Sequence, residues 1–145
     1  MCLFLWKEIF ADDVPFVFQT PYQTAPLDLY LDDIFYNSRR TRIDKRLAEI
    51  AEMSKKERED TIREIYLAKK GLKNPFIDWD SHKLTMQNLA AIGGLMQGKV
   101  LQIVFKRLLS NLKTWSHGWP DLVCWGNGKV KFVEVKSQTD KLSEN

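Results

Sequence analysis

Residues 120–136, "PDLVCWGNGKVKFVEVK", decide the fold. Two runs rich in β-branched and aromatic residues, 122–125 and 130–136, flank the pair Asn127-Gly128. An Asn-Gly pair between such runs marks a two-residue hairpin, because a type I′ turn needs positive φ at both central positions. With the turn there, Gly126 faces Lys129 and each further pair follows by counting outward. Asp121 then falls opposite Glu134, with Cβ atoms about 4.5–5.5 Å apart. Lys136, two residues beyond Glu134, lies on the same face.

Two carboxylates facing each other at that separation repel. A divalent cation between them removes the conflict, and hard oxygen ligands suit Mg²⁺ or Mn²⁺. Such an ion lowers the pKa of a bound water and polarises a phosphoryl oxygen, and a neighbouring lysine can orient the water or stabilise developing charge. This is the equipment for hydrolysing a phosphodiester. Two alternatives stay open at this level. A one-residue slip would put the acids on opposite faces, and a three-residue loop, Gly126-Asn127-Gly128, would also change the register.

Working outward, the chain of 145 residues suits one compact domain, and 44% of it is apolar, enough for a core. A net charge of +3 neither identifies nor excludes nucleic acid as a partner. Basic clusters at Arg39, Arg40, Arg42, Lys45 and Arg46, at Lys55, Lys56 and Arg58, and at Lys69, Lys70 and Lys73 are interleaved with acids, so they read as solvated helix faces. Arg39 and Arg40 are open between a salt-bridged helix end and a phosphate contact. The two cysteines, Cys2 and Cys124, lie far apart, which gives neither a zinc site nor a disulfide framework and fits a reducing compartment. Met1–Trp6 is apolar but has no basic lead-in or cleavage site, so no signal peptide is expected. No run approaches the roughly 18 apolar residues of a membrane span. The expectation is a soluble, intracellular protein.

Upstream of the hairpin the pattern is helical. Residues 2–10 read as the later half of a helix, and Pro15, Pro21 and Pro26 make 11–26 an irregular packed connection. Leu27, Leu31, Ile34 and Phe35 recur at helical spacing, and Ile43, Leu47 and Ile50 continue it after Ser38-Arg39-Arg40. Ser54-Lys55-Lys56-Glu57 is a capping box, Ile62, Ile65 and Tyr66 form a buried stripe, and Gly71 offers a stop. After the Asn74-Pro75 loop, a helix over 84–92 is expected to break at Gly93-Gly94. An amphipathic helix then buries Val100, Leu101, Val104, Leu108, Leu109 and Leu112 on one face.

The Pro120-Asp121…Glu134-Val135-Lys136 arrangement resembles the PD-(D/E)xK nuclease superfamily. More of the chain points to one branch of it. "LFLWKEIF", "APLDLYLDDIFYNSRR", "GGLMQGKVLQIVFKRL", "GWPDLVCW" and "KFVEVKSQTDKLSEN" resemble successive segments of the virus-type replication-repair nuclease (VRR-NUC) domain of Fanconi-associated nucleases. The match runs nearly the whole length, so residues 1–145 are read as one such domain. The resemblance implies an α/β fold of restriction-endonuclease type, helix-rich here, with a C-terminal β-hairpin. It implies metal binding by Asp121, Glu134 and the Val135 carbonyl, with Mg²⁺ or Mn²⁺ as cofactor and Lys136 as the catalytic lysine. Lys113 falls where the family carries a basic residue that receives the 5′ end of a flap.

The implied activity is 5′-flap endonuclease and 5′-to-3′ exonuclease cleavage in DNA interstrand crosslink repair. The implied setting is the nucleus, with branched or flap DNA and repair-complex proteins as partners and no membrane. The family also has a metal-site glutamate in a helix just before the stretch that Met1 begins, and it continues beyond "KLSEN" with a helix and a strand. Glu8 lies too late in its helix to replace that glutamate. On this reading the chain is a domain truncated at both ends. A non-catalytic DNA-binding or scaffold remnant of the same family is the alternative, and a helical interaction domain with exposed hairpin acids is a third.

The remaining candidates are weaker. His117, four residues before Asp121, and Lys141 are candidate DNA contacts, whereas His82 reads as a surface residue. Trp115, Trp119 and Trp125 read as packing around the hairpin in preference to stacking on bases.

Overall fold

The computed structural model describes residues 1–11, 13–31, 33–117 and 119–135. Lys136 and Lys141, both singled out from sequence, lie outside the described residues. The elements are α1 (Trp6–Ile9), α2 (Ile34–Glu52), α3 (Lys55–Lys69), α4 (Met86–Leu95), α5 (Gly98–Ser110), α6 (Leu112–Trp115), β1 (Leu122–Gly126) and β2 (Lys129–Val133). Helix α2 packs along α5 and α3 along α4, and the hairpin follows the helical body. Leu5, Ile9, Leu29, Ile43, Leu47, Ile50 and Leu109 sit fully buried where these helices meet the N-terminal segment.

That segment differs from expectation. Only Trp6–Ile9 is helical, and residues 2–5 form turns, with the Phe4 amide donating to the Met1 carbonyl. Cys2 to Trp6 and Ile9 are all buried. A segment apolar on every side gains most by being surrounded, and here it serves as a plug in the core. Residues 13–26 are irregular, as their prolines require.

Helix α2 starts at Ile34, not at Leu27. Asp33 immediately before it has φ of +53°, a reversal that no continuous helix accepts. Leu27, Leu31 and Ile34 remain exposed, while Phe35, Arg39, Ile43, Leu47 and Ile50 form the buried stripe. Arg39 is not on a solvated face. Its guanidinium bonds Asp28 at 2.6 and 3.1 Å, donates to the Phe35 carbonyl at 3.2 Å and lies over the Phe35 ring. The cation is paired in a forked geometry, which is the condition for burying it.

Helix α3 opens with both halves of the capping box. The Glu57 amide donates to Ser54 Oγ at 3.2 Å, and the Ser54 amide donates to Glu57 Oε2 at 2.7 Å. Gly71, at φ of +87°, follows its end. Most of the other bases behave as expected. Lys55–Glu59, Lys56–Asp60, Arg63–Glu59 and Arg46–Glu49 pair along exposed faces. Arg58 is the exception: it is buried, and its guanidinium donates to the carbonyls of Gly93, Gly94 and Met53.

Helix α4 therefore does not break at its glycines but runs through them to Leu95. A Cβ on Gly93 would collide with Ile62, and one on Gly94 with Glu59. Both glycines let α4 approach α3, and Arg58 satisfies carbonyls at the end of α4. Helix α5 buries Leu101, Phe105 and Leu109, with Leu112 of α6 continuing the row. Val100 stays exposed and Val104 and Leu108 are half-buried, so the face is rotated from the one expected. The sequence contains two overlapping apolar rows, and the one through Phe105, whose ring meets Phe4 of the N-terminal segment, is the buried one.

In the hairpin the turn has positive φ at Asn127 (47°) and Gly128 (75°). The antiparallel register runs from Gly126↔Lys129 to Leu122↔Val133. The two-residue turn is confirmed. The three-residue loop and the slipped register are excluded.

Candidate active site

The register brings the predicted acids together. One step beyond the terminal pair Leu122↔Val133, the counting places Asp121 opposite Glu134. No main-chain rung is assigned there. A side chain closes the gap: the Val135 amide donates to Asp121 Oδ2 at 2.8 Å. Asp121, Glu134 and Val135 are thus clustered at the open end of the hairpin, and all three are exposed. The assigned strand β2 ends at Val133, so Glu134 and Val135 continue past the ladder.

Their faces follow from the alternation of side chains. Phe132 and Val130 share the parity of Glu134, and Phe132 borders an apolar cavity of about 360 Å³ between the hairpin and the helical body. Trp119, Phe4, Phe105 and Gly93 contribute to the same cavity. The outward parity carries Leu122, Cys124, Lys131 and Val133. The carboxylates therefore belong to the side of the hairpin that looks toward the helices.

Upstream of Asp121 in the chain lie α6 and the turn after it. Asn111 caps α6 by accepting the Thr114 amide at 2.9 Å. His117 Nδ1–H donates to the Lys113 carbonyl at 2.9 Å, and among the described residues Nε2 has no hydrogen-bond partner. Lys113 and His117 are both exposed and one helical turn apart. His82 is on the surface. Arg39 is committed to the core, and Arg40 is exposed and pairs with Asp44 at 3.7 Å. Burial first, and then the Asp44 carboxylate accepting its hydroxyl at 2.6 Å, push the neighbouring Tyr36 phenol up to about 12.

The tryptophans are less packed than expected. Trp115, Trp119 and Trp125 each keep more than a third of their surface in solvent. Arg107, which sequence reasoning passed over, lies 3.7 Å from the Trp115 ring centroid. Eight residues separate the two, so no helical spacing rule would pair them. The corner between α5 and α6 does.

As a metal site, the donors fit in kind. Two carboxylates and a main-chain carbonyl are hard oxygen ligands, and Mg²⁺ is commonly held by one or two carboxylates plus water. Among the described residues no group of three or more His, Cys, Asp or Glu is arranged to hold a metal ion. Glu8 supplies no third acid. It lines a separate polar cavity with Arg46, Glu49, Thr61 and Glu64, where burial raises its pKa above the ordinary carboxylate value.

A helix-rich body followed by an antiparallel hairpin with facing acids at its open end is an α/β fold of nuclease type. Solved structures share it. The chain superposes with a TM-score of 0.83 on paFAN1 bound to 5′-flap DNA carrying a 2-nucleotide flap and a gap, at 31% identity over 99% of this chain and 26% of that one. A second paFAN1 structure, with a 1-nucleotide flap, gives 0.83 at 30% identity, covering 98% of this chain and 25% of that one. The VRR-NUC domain family matches residues 53–145, and the chain belongs to that family. Similar proteins include Fanconi-associated nuclease 1 of Danio rerio, 38% identical over 144 residues, with 98% of this chain and 14% of that protein covered. The Oryza sativa subsp. japonica homolog is 38% identical, with 98% of this chain and 15% of that protein covered, and Fanconi-associated nuclease 1 of Homo sapiens is 32% identical, with 97% and 14% covered. The chain thus spans about one seventh of the length of these relatives.

Proposed function

We propose that this chain forms the catalytic region of a structure-selective DNA nuclease that cleaves 5′ flaps and branched junctions. The observation that carries this reading is the hairpin register, which sets Asp121 opposite Glu134 and pins Asp121 to the Val135 main chain. Membership of a nuclease family and the flap DNA bound by paFAN1 support it.

Asp121, Glu134 and the Val135 carbonyl would hold Mg²⁺ or Mn²⁺, which when bound supplies Lewis acidity to the scissile phosphate and acidity to a water. The chain's own residues do the rest. Asp121 and Glu134 supply the carboxylate oxygens at the hairpin end. Lys136 stabilises charge developing on the phosphate and orients the attacking water. Lys113 and His117 hold the 5′ end of the flap, and Lys141 adds a backbone contact. The proposed setting is interstrand crosslink repair in the nucleus, together with repair-complex proteins.

Two carboxylates are a sparse metal site, and this favours a second reading, a non-catalytic DNA-binding member of the family. One experiment separates them. In the complete protein, Asp121→Ala should abolish Mn²⁺-dependent cleavage of a labelled 5′ flap, weaken Mn²⁺ binding measured by electron paramagnetic resonance, and leave DNA binding largely intact. Full cleavage by that variant sinks the proposed site. A parent protein that binds flaps but cuts none under any divalent metal establishes the second reading.

A further inference from the structure

The aromatic residues of this molecule fall into two groups. Trp6, Phe10, Tyr66, Phe76 and Trp79 stack on or edge against one another over the helical body. Among the described residues, Trp115 and Trp119 form no ring–ring pair. Trp115 has the Arg107 guanidinium on one face, 3.7 Å from its centroid, and 36% of its surface is still exposed. Among the described residues Arg107 has no carboxylate partner. The Trp119 indole N–H donates to the Trp115 main-chain carbonyl at 2.5 Å, so Trp119 is tied to the backbone that carries this ring. The ring is six residues from Asp121.

An indole backed by a guanidinium presents one open π-face with a cation behind it. A planar, electron-rich group beside a polyanion suits that arrangement: stacking binds the ring, and the cation favours both the base and its phosphates. A base inside a duplex has both faces occupied by its neighbours, so the partner is an unpaired one. We infer that Trp115, backed by Arg107, is the stacking platform for an unpaired nucleobase at the junction beside the cleavage site. The inference rests on the DNA-nuclease reading and adds to it the side chain that reads single-strandedness.

The test measures affinity of the complete protein for 5′-flap DNA by fluorescence anisotropy, with chelator present so that nothing is cut. Each unpaired position is replaced in turn by an abasic residue. Trp115→Ala should weaken binding roughly 5- to 150-fold, the range for loss of one stacked base, and Trp115→Phe should recover most of it. One abasic position should weaken the parent by a similar factor and the Trp115→Ala protein no further. The dependence on salt should keep its slope in Trp115→Ala, whereas Lys113→Ala should lower it by about one. Additive losses at every abasic position, or unchanged affinity in Trp115→Ala, overturn the platform. These outcomes concern binding alone. Failure of the nuclease reading shows separately, as cleavage that survives Asp121→Ala.

Discussion

The helical body and the hairpin solve opposite problems. The body buries what it has. Its apolar stripes interlock, its buried cations Arg39 and Arg58 are held by Asp28 and by α4 carbonyls, and its surface charges pair along helix faces. The hairpin leaves Leu122, Val123, Trp125, Phe132, Val133 and Val135 exposed and sets its acids at an open end. Two strands alone are marginal in water, so this hairpin draws its order from the turn chemistry and from one side face against the body. Stability and the proposed chemistry are thus lodged in different places, and substitutions in the two regions should have different consequences.

The largest effect should come from the hairpin and should touch activity alone. Removing the Asp121 charge should lower flap cleavage about 100-fold or more, as loss of a single electrostatic contributor at a reacting centre does. Asp121→Asn keeps an oxygen that can accept the Val135 amide, so its hairpin should stay closed while cleavage is lost. Equal activity in Asn and parent proteins would break the division. In the body, Asp28→Ala should leave the Arg39 cation buried and unpaired, at a cost of about 3–5 kcal/mol in denaturant unfolding. Next comes Gly98→Ala. Its Cβ would meet the carbonyl oxygens of Ile50 and Ala51, main-chain atoms that cannot rotate away, so a loss of about 1–3 kcal/mol is expected. Ser54→Ala removes half of the capping box and should cost about 1 kcal/mol.

The smallest effect is the response to acid. The Ser54 hydroxyl and amide hold Glu57 below the ordinary carboxylate value, Lys56 does so for Asp60, and Arg42 for Asp13. A depressed folded value adds stability above the unfolded value, and that stability is lost as pH falls through the folded one. The thermal midpoint of the body should therefore begin to decline as pH drops below the ordinary carboxylate values of 4.5 and 3.8, and keep falling beneath them. Glu8, raised by burial, acts in the opposite sense. A midpoint that rises on acidification would place the body's surface pairs outside its stability.

Much of this was legible locally. The Asn127-Gly128 turn, the Ser54–Glu57 box and the Gly71 stop are rules about neighbouring residues, and each holds in the structure. The register followed from the turn, and with it the pairing of Asp121 with Glu134. Other features depend on residues far apart. Gly93 and Gly94 look like helix breakers until Ile62 and Glu59 are seen to need their space. Arg39 and Arg58 look like solvated bases until Asp28 and the end of α4 turn them inward. Val100 looks buried until the packed helix turns the row through Phe105 inward against Phe4. Arg107 carries no signal at all until a corner lays it on Trp115.

The sequence by itself marked the hairpin, its Asn-Gly turn and the acids to be paired, because turn geometry and strand alternation act over a few residues, and the structure chose among the registers left open. Only the tertiary structure decided which cations serve the core, which glycines are spacers and which tryptophans stay open to a ligand. Those outcomes depend on what packs opposite, and no spacing along the chain encodes that.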